Sequence, residues 1–148
     1  MIFKSEKQVY NKMADKLVAE WTLDTGTQMV THTKENDVVT KRCFWRDCVR
    51  YHLNYRAENA PESLQKLVNE GKIQAYLEDL EIRVVDAVNE QEQKLMDNDK
   101  DYQAAVSVGN LNAAGSIGNV LQAKAEEMVY QTIVYVIDLQ YKCNTKKE

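Results

Sequence analysis

The sequence predicts an all-α protein of four or five helices in a bundle, with a small β-hairpin or an ordered loop near residues 27–40. Two observations lead to this prediction. The chain of 148 residues contains one proline and five glycines, so it has little of the turn material that a many-stranded fold needs. Apolar residues also recur at helical spacing along most of the chain. At this length we expect one domain, residues 1–148, around one hydrophobic core.

The first predicted helix covers residues 6–22. Ser5 followed by polar residues as far as Gln8 is typical of a capping box, and Gly26 is a natural stop. Between them an apolar side chain recurs at every fourth position, at Val9, Met13, Leu17 and Trp21. The next segment, residues 27–40, is richer in threonine and valine, which favour strands.

Four more helices are predicted from capping residues and apolar spacing, over residues 41–58, 60–70, 73–96 and 103–141. The third has the clearest apolar stripe, which places Leu80 and Val84 in the core. A break is expected at Gly109, because glycine inside a helix costs about 1 kcal/mol relative to alanine. The same cost at Gly115 and Gly118 predicts close approach of a neighbouring helix.

Charge is distributed unevenly along the chain. The whole chain has a net charge of −4, which argues against coating of nucleic acid. Residues 41–56 nevertheless hold five basic side chains against Asp47 alone, a local net charge of +4. Because helical residues turn by about 100° each, four arginines should share one side of the predicted 41–58 helix: Arg42, Arg46, Arg50 and Arg56. This stripe either pairs with acidic helices of the same molecule or binds phosphates or an acidic partner.

The predicted helix over residues 73–96 carries many acidic side chains. Such a set is either a solvated helix face or a surface that imitates nucleic-acid phosphates and occupies a basic groove on another protein. Under the second interpretation the partner-binding residues are Glu78, Glu81, Asp86 and Glu90.

One group of side chains has the chemistry of a zinc site. Cys48 and His52 are four residues apart on one helix face, and His32 and Cys43 could complete a set of four ligands. The chain has no Cys-x-x-Cys pair, and Cys43 and Cys48 are five residues apart, which is not a standard spacing. We therefore predict that no metal binds and that the three cysteines are free thiols.

Recognisable catalytic patterns are absent from the sequence. The two histidines have no nucleophile in a known setting, and the glycines near residue 115 lack the Gly-Lys-Ser/Thr of a phosphate-binding loop. The protein is expected to be neither an enzyme nor a cofactor binder. No run of 18 apolar residues occurs and the first 20 residues carry charges throughout, which predicts a cytoplasmic protein without a membrane partner.

The order of residues from 51 to about 137 resembles a known family. The features are Tyr55 and Pro61, Leu64 and Leu67, Gly71-Lys72-Ile73, Leu77, Leu80-Glu81, and Asn119 followed by Ala125-Glu126-Glu127-Met128-Val129. In these it is similar to the TnpV family of transposon-encoded proteins. The chain departs from the family before residue 40, where members have prolines and glycines, and at 115–118, where members often have tryptophan and arginine. The resemblance implies residence on a bacterial mobile element and no particular activity.

Two classes of function follow. The first is a protein-binding accessory or effector of a mobile element, for example an inhibitor of a host defence nuclease (anti-CRISPR type) that presents the acidic face. The second is a nucleic-acid-binding accessory protein of transposition that uses Arg42, Arg46 and Arg50. The first is favoured because long-range steering follows the negative net charge. Whether the arginines are free or paired within the molecule separates the two.

Overall fold

The computed structural model describes residues 1–35 and 38–135. Within these residues the chain has a mixed α/β fold, so the predicted all-α helical bundle is wrong. The strands are β1 (Ile2–Lys4), β2 (Gln8–Asn11), β3 (Lys16–Ala19), β4 (Trp21–Asp24), β5 (Met29–Thr33) and β6 (Val39–Cys43). The helices are α1 (Asp47–Asn59), α2 (Pro61–Asn69), α3 (Ile73–Asn98), α4 (Lys100–Ser107) and α5 (Leu111–Val129), followed by a π-helical turn (Tyr130–Val134).

Two compact units make up the described residues, the first within 1–81 and the second within 82–135. Helix α3 contributes residues to both units. The first unit holds all the strands together with α1 and α2, and the second holds α4, α5 and the π-helical turn. The expectation that both units belong to one domain, residues 1–148, stays a prediction.

The main sheet of the first unit is antiparallel, in the order β1-β4-β5-β6, while β2 and β3 form a separate hairpin. Across the main sheet Phe3 lies opposite Leu23, and Leu23 lies opposite Val30. All three side chains are buried, so this row faces the core. Because side chains alternate along a strand, the neighbouring rows lie on the solvated face.

The predicted helix over residues 6–22 is wrong, because this segment forms β2, β3 and the beginning of β4. The helical spacing was misleading because its residues belong to different elements: Val9 lies in β2, Met13 in the turn after it, Leu17 in β3 and Trp21 in β4. Met13 and Leu17 are 90% and 60% exposed and belong to no core stripe. The Ser5 hydroxyl accepts a hydrogen bond from the Trp21 amide at 3.0 Å, which joins β1 to β4 rather than capping a helix.

The helices after residue 46 follow the expected order with different bounds. The helix expected from residue 41 begins only at Asp47, because residues 39–43 pair with β5 as a strand. Helix α2 lies inside the expected range 60–70. The helical region expected over 103–141, with a break at Gly109, corresponds to α4, α5 and the π-helical turn, and it begins three residues earlier, at Lys100. Its residues beyond 135 lie outside the described part.

Glycine and asparagine explain the break between α4 and α5. Gly109 has a φ of +72°, the left-handed conformation that ends many helices. The Asn110 side chain then accepts a hydrogen bond from the Ala113 amide at 3.1 Å and caps α5. A Cβ atom at Gly118 would meet the Met96 methyl group at 3.5 Å, whereas one at Gly115 would meet nothing within 4 Å. Gly118 therefore lies at ordinary van der Waals distance from its neighbours, and the close packing expected at Gly115 is wrong.

Leu80 and Val84 are buried, as the apolar stripe of α3 predicted; their exposed fractions are 1% and 2%. None of the helices in the described part of the chain is long and apolar enough to cross a membrane.

Truncation of Leu80 should destabilise the protein strongly. Leu80→Ala should lower the free energy of unfolding by about 2–5 kcal/mol, because it removes buried methyl groups and leaves a cavity. Ile82 is the control on the same helix, since its side chain is 61% exposed and Ile82→Ala should change stability by no more than about 0.5 kcal/mol. Urea unfolding followed by circular dichroism measures both changes. Equal effects of the two substitutions would contradict the described packing of α3.

Candidate interaction surface at the start of helix α1

Gln28 holds the turn between β6 and α1 in place. It lies between β4 and β5 in the left-handed region, with a φ of 59°. Its backbone carbonyl accepts a hydrogen bond from the Phe44 amide at 2.9 Å, and its side-chain amide donates to the Phe44 carbonyl. The Phe44 ring is fully buried. These contacts fix the backbone immediately before Trp45, whose side chain then points away from the core.

Trp45 is the most exposed aromatic residue near this turn, with 71% of its surface in contact with water. The Arg46 guanidinium lies 4.9 Å from the centre of the Trp45 ring, and the Arg50 guanidinium lies 5.0 Å from the centre of the Tyr51 ring. Cation–π contacts of this kind restrict the arginine side chains. We call Arg42, Trp45, Arg46, Arg50 and Tyr51 the Trp45 surface.

Ion pairs connect two arginines of this surface to α3. The Arg46 Nε atom lies 3.3 Å from a carboxylate oxygen of Glu81. Arg42 lies 4.0 Å from Glu81 and 4.0 Å from Glu78. The Glu81 side chain is only 15% exposed, so water screens its pairing less than it screens an ordinary surface pair. Two arginines of the basic set therefore pair with two carboxylates of the acidic set, which is one of the two alternatives that the sequence left open.

Arg50 and Arg56 complete the predicted arginine stripe, but they lie in different surroundings. Arg50 is exposed and pairs with Asp47 at 3.0 Å, three residues earlier in α1. Arg56 is buried, and its guanidinium donates a hydrogen bond to the Tyr76 hydroxyl at 2.9 Å. The same hydroxyl lies 2.7 Å from Nε2 of His52. Arg42 is on a strand and Arg56 is in the core, so the four residues do not form one exposed helical stripe.

The predicted acidic face is also divided. Glu78 and Glu81 lie in the first unit, where they face arginines. Asp86 and Glu90 belong to the second unit and are exposed, with Glu90 lying 3.3 Å from Lys94. Among the ion pairs that the structure describes, none joins Asp86 or Glu90 to an arginine.

The four candidate zinc ligands lie in separate environments. The His32 ring stacks on Trp21 with 3.8 Å between ring centres, and His52 bonds to Tyr76. Cys43 is exposed and Cys48 is buried. Burial raises the pKa of the Cys48 thiol, because it disfavours the charged thiolate. Across the described residues, no group of three or more histidine, cysteine or acidic side chains could hold a metal ion.

Sequence reasoning missed Trp45 and Gln28. Trp45 follows buried Phe44 and precedes Arg46, and the alternation of strand residues would have placed it outside the core if β6 had been recognised. Gln28 gave no signal, since its role depends on a contact with a residue 16 positions later.

Comparison with known proteins found no matching family model, no similar curated protein and no similar solved structure. The resemblance to the TnpV family therefore stays a prediction.

The two described cysteines should differ in reactivity. Iodoacetamide attacks the thiolate, so the buried Cys48, with its raised pKa, should react much more slowly than exposed Cys43 at mildly alkaline pH. Peptide mapping by mass spectrometry after timed alkylation of the native protein measures both rates. Denaturation in urea is the control and should make the rates similar. Faster labelling of Cys48 in the native protein would contradict the described packing of α1.

Proposed function

We propose that this chain is a non-enzymatic protein-binding protein that acts in the cytoplasm and contacts its partner through the Trp45 surface. The observation that carries the proposal is the exposed Trp45 ring at a fixed strand-to-helix turn, beside guanidinium groups stacked on aromatic rings. Tryptophan, tyrosine and arginine supply most of the binding energy at protein interfaces. Side chains that are already ordered lose less entropy when a partner binds.

The local charge balance favours a protein over a nucleic acid as the partner. The three arginines of the Trp45 surface lie within 4.0 Å of three carboxylates, which belong to Asp47, Glu78 and Glu81. Affinity for nucleic acid depends on cations that neutralise phosphates and release counterions. Arginines that already have acidic partners contribute less to this process, and the whole chain is negative.

The acidic face is a weaker candidate for the contact surface than the sequence suggested. A basic partner that bound Glu78 and Glu81 would have to displace Arg42 and Arg46. The proposal therefore keeps protein binding and transfers the contact from the acidic face to the Trp45 surface. The role as accessory or effector of a mobile element rests on the resemblance to the TnpV family alone.

A second candidate function is binding of single-stranded nucleic acid. One observation favours it: the side chains of Arg42, Arg46 and Arg50 are each close to half exposed and lie over aromatic rings. Unpaired bases stack on aromatic rings and on guanidinium planes. This function would use the same surface and would be sensitive to salt.

Replacement of Trp45 should remove partner binding without unfolding the protein. Trp45→Ala should weaken binding by about thirtyfold, which corresponds to the roughly 2 kcal/mol lost when a dominant interface residue is truncated. Leu111→Ala is the control, because Leu111 is 80% exposed and lies outside the Trp45 surface. Affinity capture from the organism that makes the protein, followed by quantitative mass spectrometry, identifies the partner. Titration calorimetry then compares the variants, and thermal unfolding confirms that both fold.

Fluorescence anisotropy with labelled single-stranded and duplex DNA tests the alternative at about 0.15 M salt. The proposal expects no binding below micromolar concentration. Sub-micromolar binding that weakens with salt and is lost in Arg46→Glu would contradict it and favour nucleic acid. Full retention of the captured protein partner by Trp45→Ala would also contradict it.

A further inference from the structure

Strand β6 has an unpaired outer edge among the residues that the structure describes. It is the last strand in the order β1-β4-β5-β6, and all five of its residues are exposed. An edge strand presents a row of backbone amide and carbonyl groups to which another extended chain can bind.

The hydrogen bonds that flank β6 determine which of its backbone groups point outward. The Phe44 amide donates to the Gln28 carbonyl at 2.9 Å, and the Lys34 amide donates to the Val38 carbonyl at 2.8 Å. In an antiparallel pair, every second residue exchanges hydrogen bonds with its neighbour and the residues between point away. With the observed register of β5 and β6, the outward groups are the amides and carbonyls of Val39, Lys41 and Cys43.

Positive charge lies along this edge. Lys41 and Arg42 are adjacent in β6, so their side chains lie on opposite faces of the sheet. Arg42 is 4.0 Å from its nearest carboxylates, and Lys41 takes part in no ion pair within the described residues. Opposite charges directly across two strands stabilise the pairing, while like charges oppose it.

A second copy of this chain fits the edge poorly. When two β6 strands pair in antiparallel contact with Lys41 opposite Lys41 of the other copy, two like charges lie directly across from each other. Lysine on an edge strand is a common means of preventing this association. An acidic strand meets no such repulsion and gains the opposite charge of Lys41, since Arg42 already lies beside Glu78 and Glu81.

We propose that β6 binds an extended acidic segment of the partner protein as a fifth strand of the sheet. The proposal rests on the proposed protein-binding function and specifies the chemistry of the partner. Strand addition takes its affinity from backbone hydrogen bonds and its specificity from alternate side chains. Trp45 follows the last outward-facing residue, Cys43, by two positions, so the added strand and the Trp45 surface form one continuous site.

The test begins with a phage-displayed library of random peptides selected on the intact protein. The enriched peptides should be rich in aspartate and glutamate, alternating with β-branched residues. A fluorescein-labelled copy of the most enriched peptide then serves as the probe in fluorescence polarisation. Lys41→Pro should weaken its binding by at least about tenfold, because proline removes one outward amide.

Two variants and one direct measurement isolate the cause. Lys4→Pro is the matched control, since it removes an outward amide from β1 at the opposite edge, and it should bind as the wild type does. Lys41→Gln keeps the amide, removes the charge and should lose less affinity than Lys41→Pro. In the wild-type protein, the probe should slow hydrogen exchange at the amides of Val39, Lys41 and Cys43. This measurement does not depend on the folding of any variant.

Strand addition is refuted if no peptide is enriched, if the probe binds Lys41→Pro as tightly as the wild type, or if exchange at these amides is unchanged. Loss of captured protein in Trp45→Ala alongside any of these results would leave the proposed function standing. If the enriched peptides lack acidic residues but still lose affinity for Lys41→Pro, the proposed acidic character of the partner is refuted. Concentration-dependent dimerisation lost in Lys41→Pro would identify a second copy as the occupant instead.

Discussion

The pairing of Glu81 with Arg46 and Arg42 determines what the first unit presents to other molecules. The Glu81 carboxylate is mostly withdrawn from water, and the Arg46 guanidinium at 3.3 Å offsets part of the desolvation cost. The same carboxylate lies 4.0 Å from Arg42 in β6. It therefore links the edge strand and the beginning of α1 to α3. Because Glu78 and Glu81 together balance the charges of Arg42 and Arg46, the prominent group left on the Trp45 surface is the aromatic ring of Trp45.

Rigidity is the second property of this surface. Gln28 binds both the amide and the carbonyl of Phe44, and the buried Phe44 ring anchors the turn from inside. Side chains that are held on regular elements in this way keep a defined geometry before binding. The outer edge of β6 ends at the same turn. Backbone groups for strand pairing and an aromatic anchor therefore occur in consecutive residues, which is why one partner can use both.

The sequence predicted local features better than distant contacts. The break at Gly109, the burial of Leu80 and the position of α2 depend on neighbouring residues, and the structure agrees with each. The N-terminal strands were mistaken for a helix, because the residues from Val9 to Trp21 recur at helical spacing although they belong to three strands and a turn. The basic and acidic sets were each recognised, and whether they pair was left open, because the pairing joins Arg46 to a residue 35 positions away. Spacing within a segment carries no information about such a contact.

A double-mutant cycle on Arg46 and Glu81 tests the account most directly. Arg46→Met, Glu81→Gln and the double variant are compared with the wild type by urea unfolding, and the same cycle on Arg50 and Asp47 is the reference for an exposed pair. We predict a coupling energy of about 1 kcal/mol for Arg46 and Glu81, at the upper end of the range for surface pairs. The exposed pair should give about 0.5 kcal/mol or less. A coupling energy near zero for Arg46 and Glu81 would mean that the arginines are free to bind phosphates, and would contradict the account.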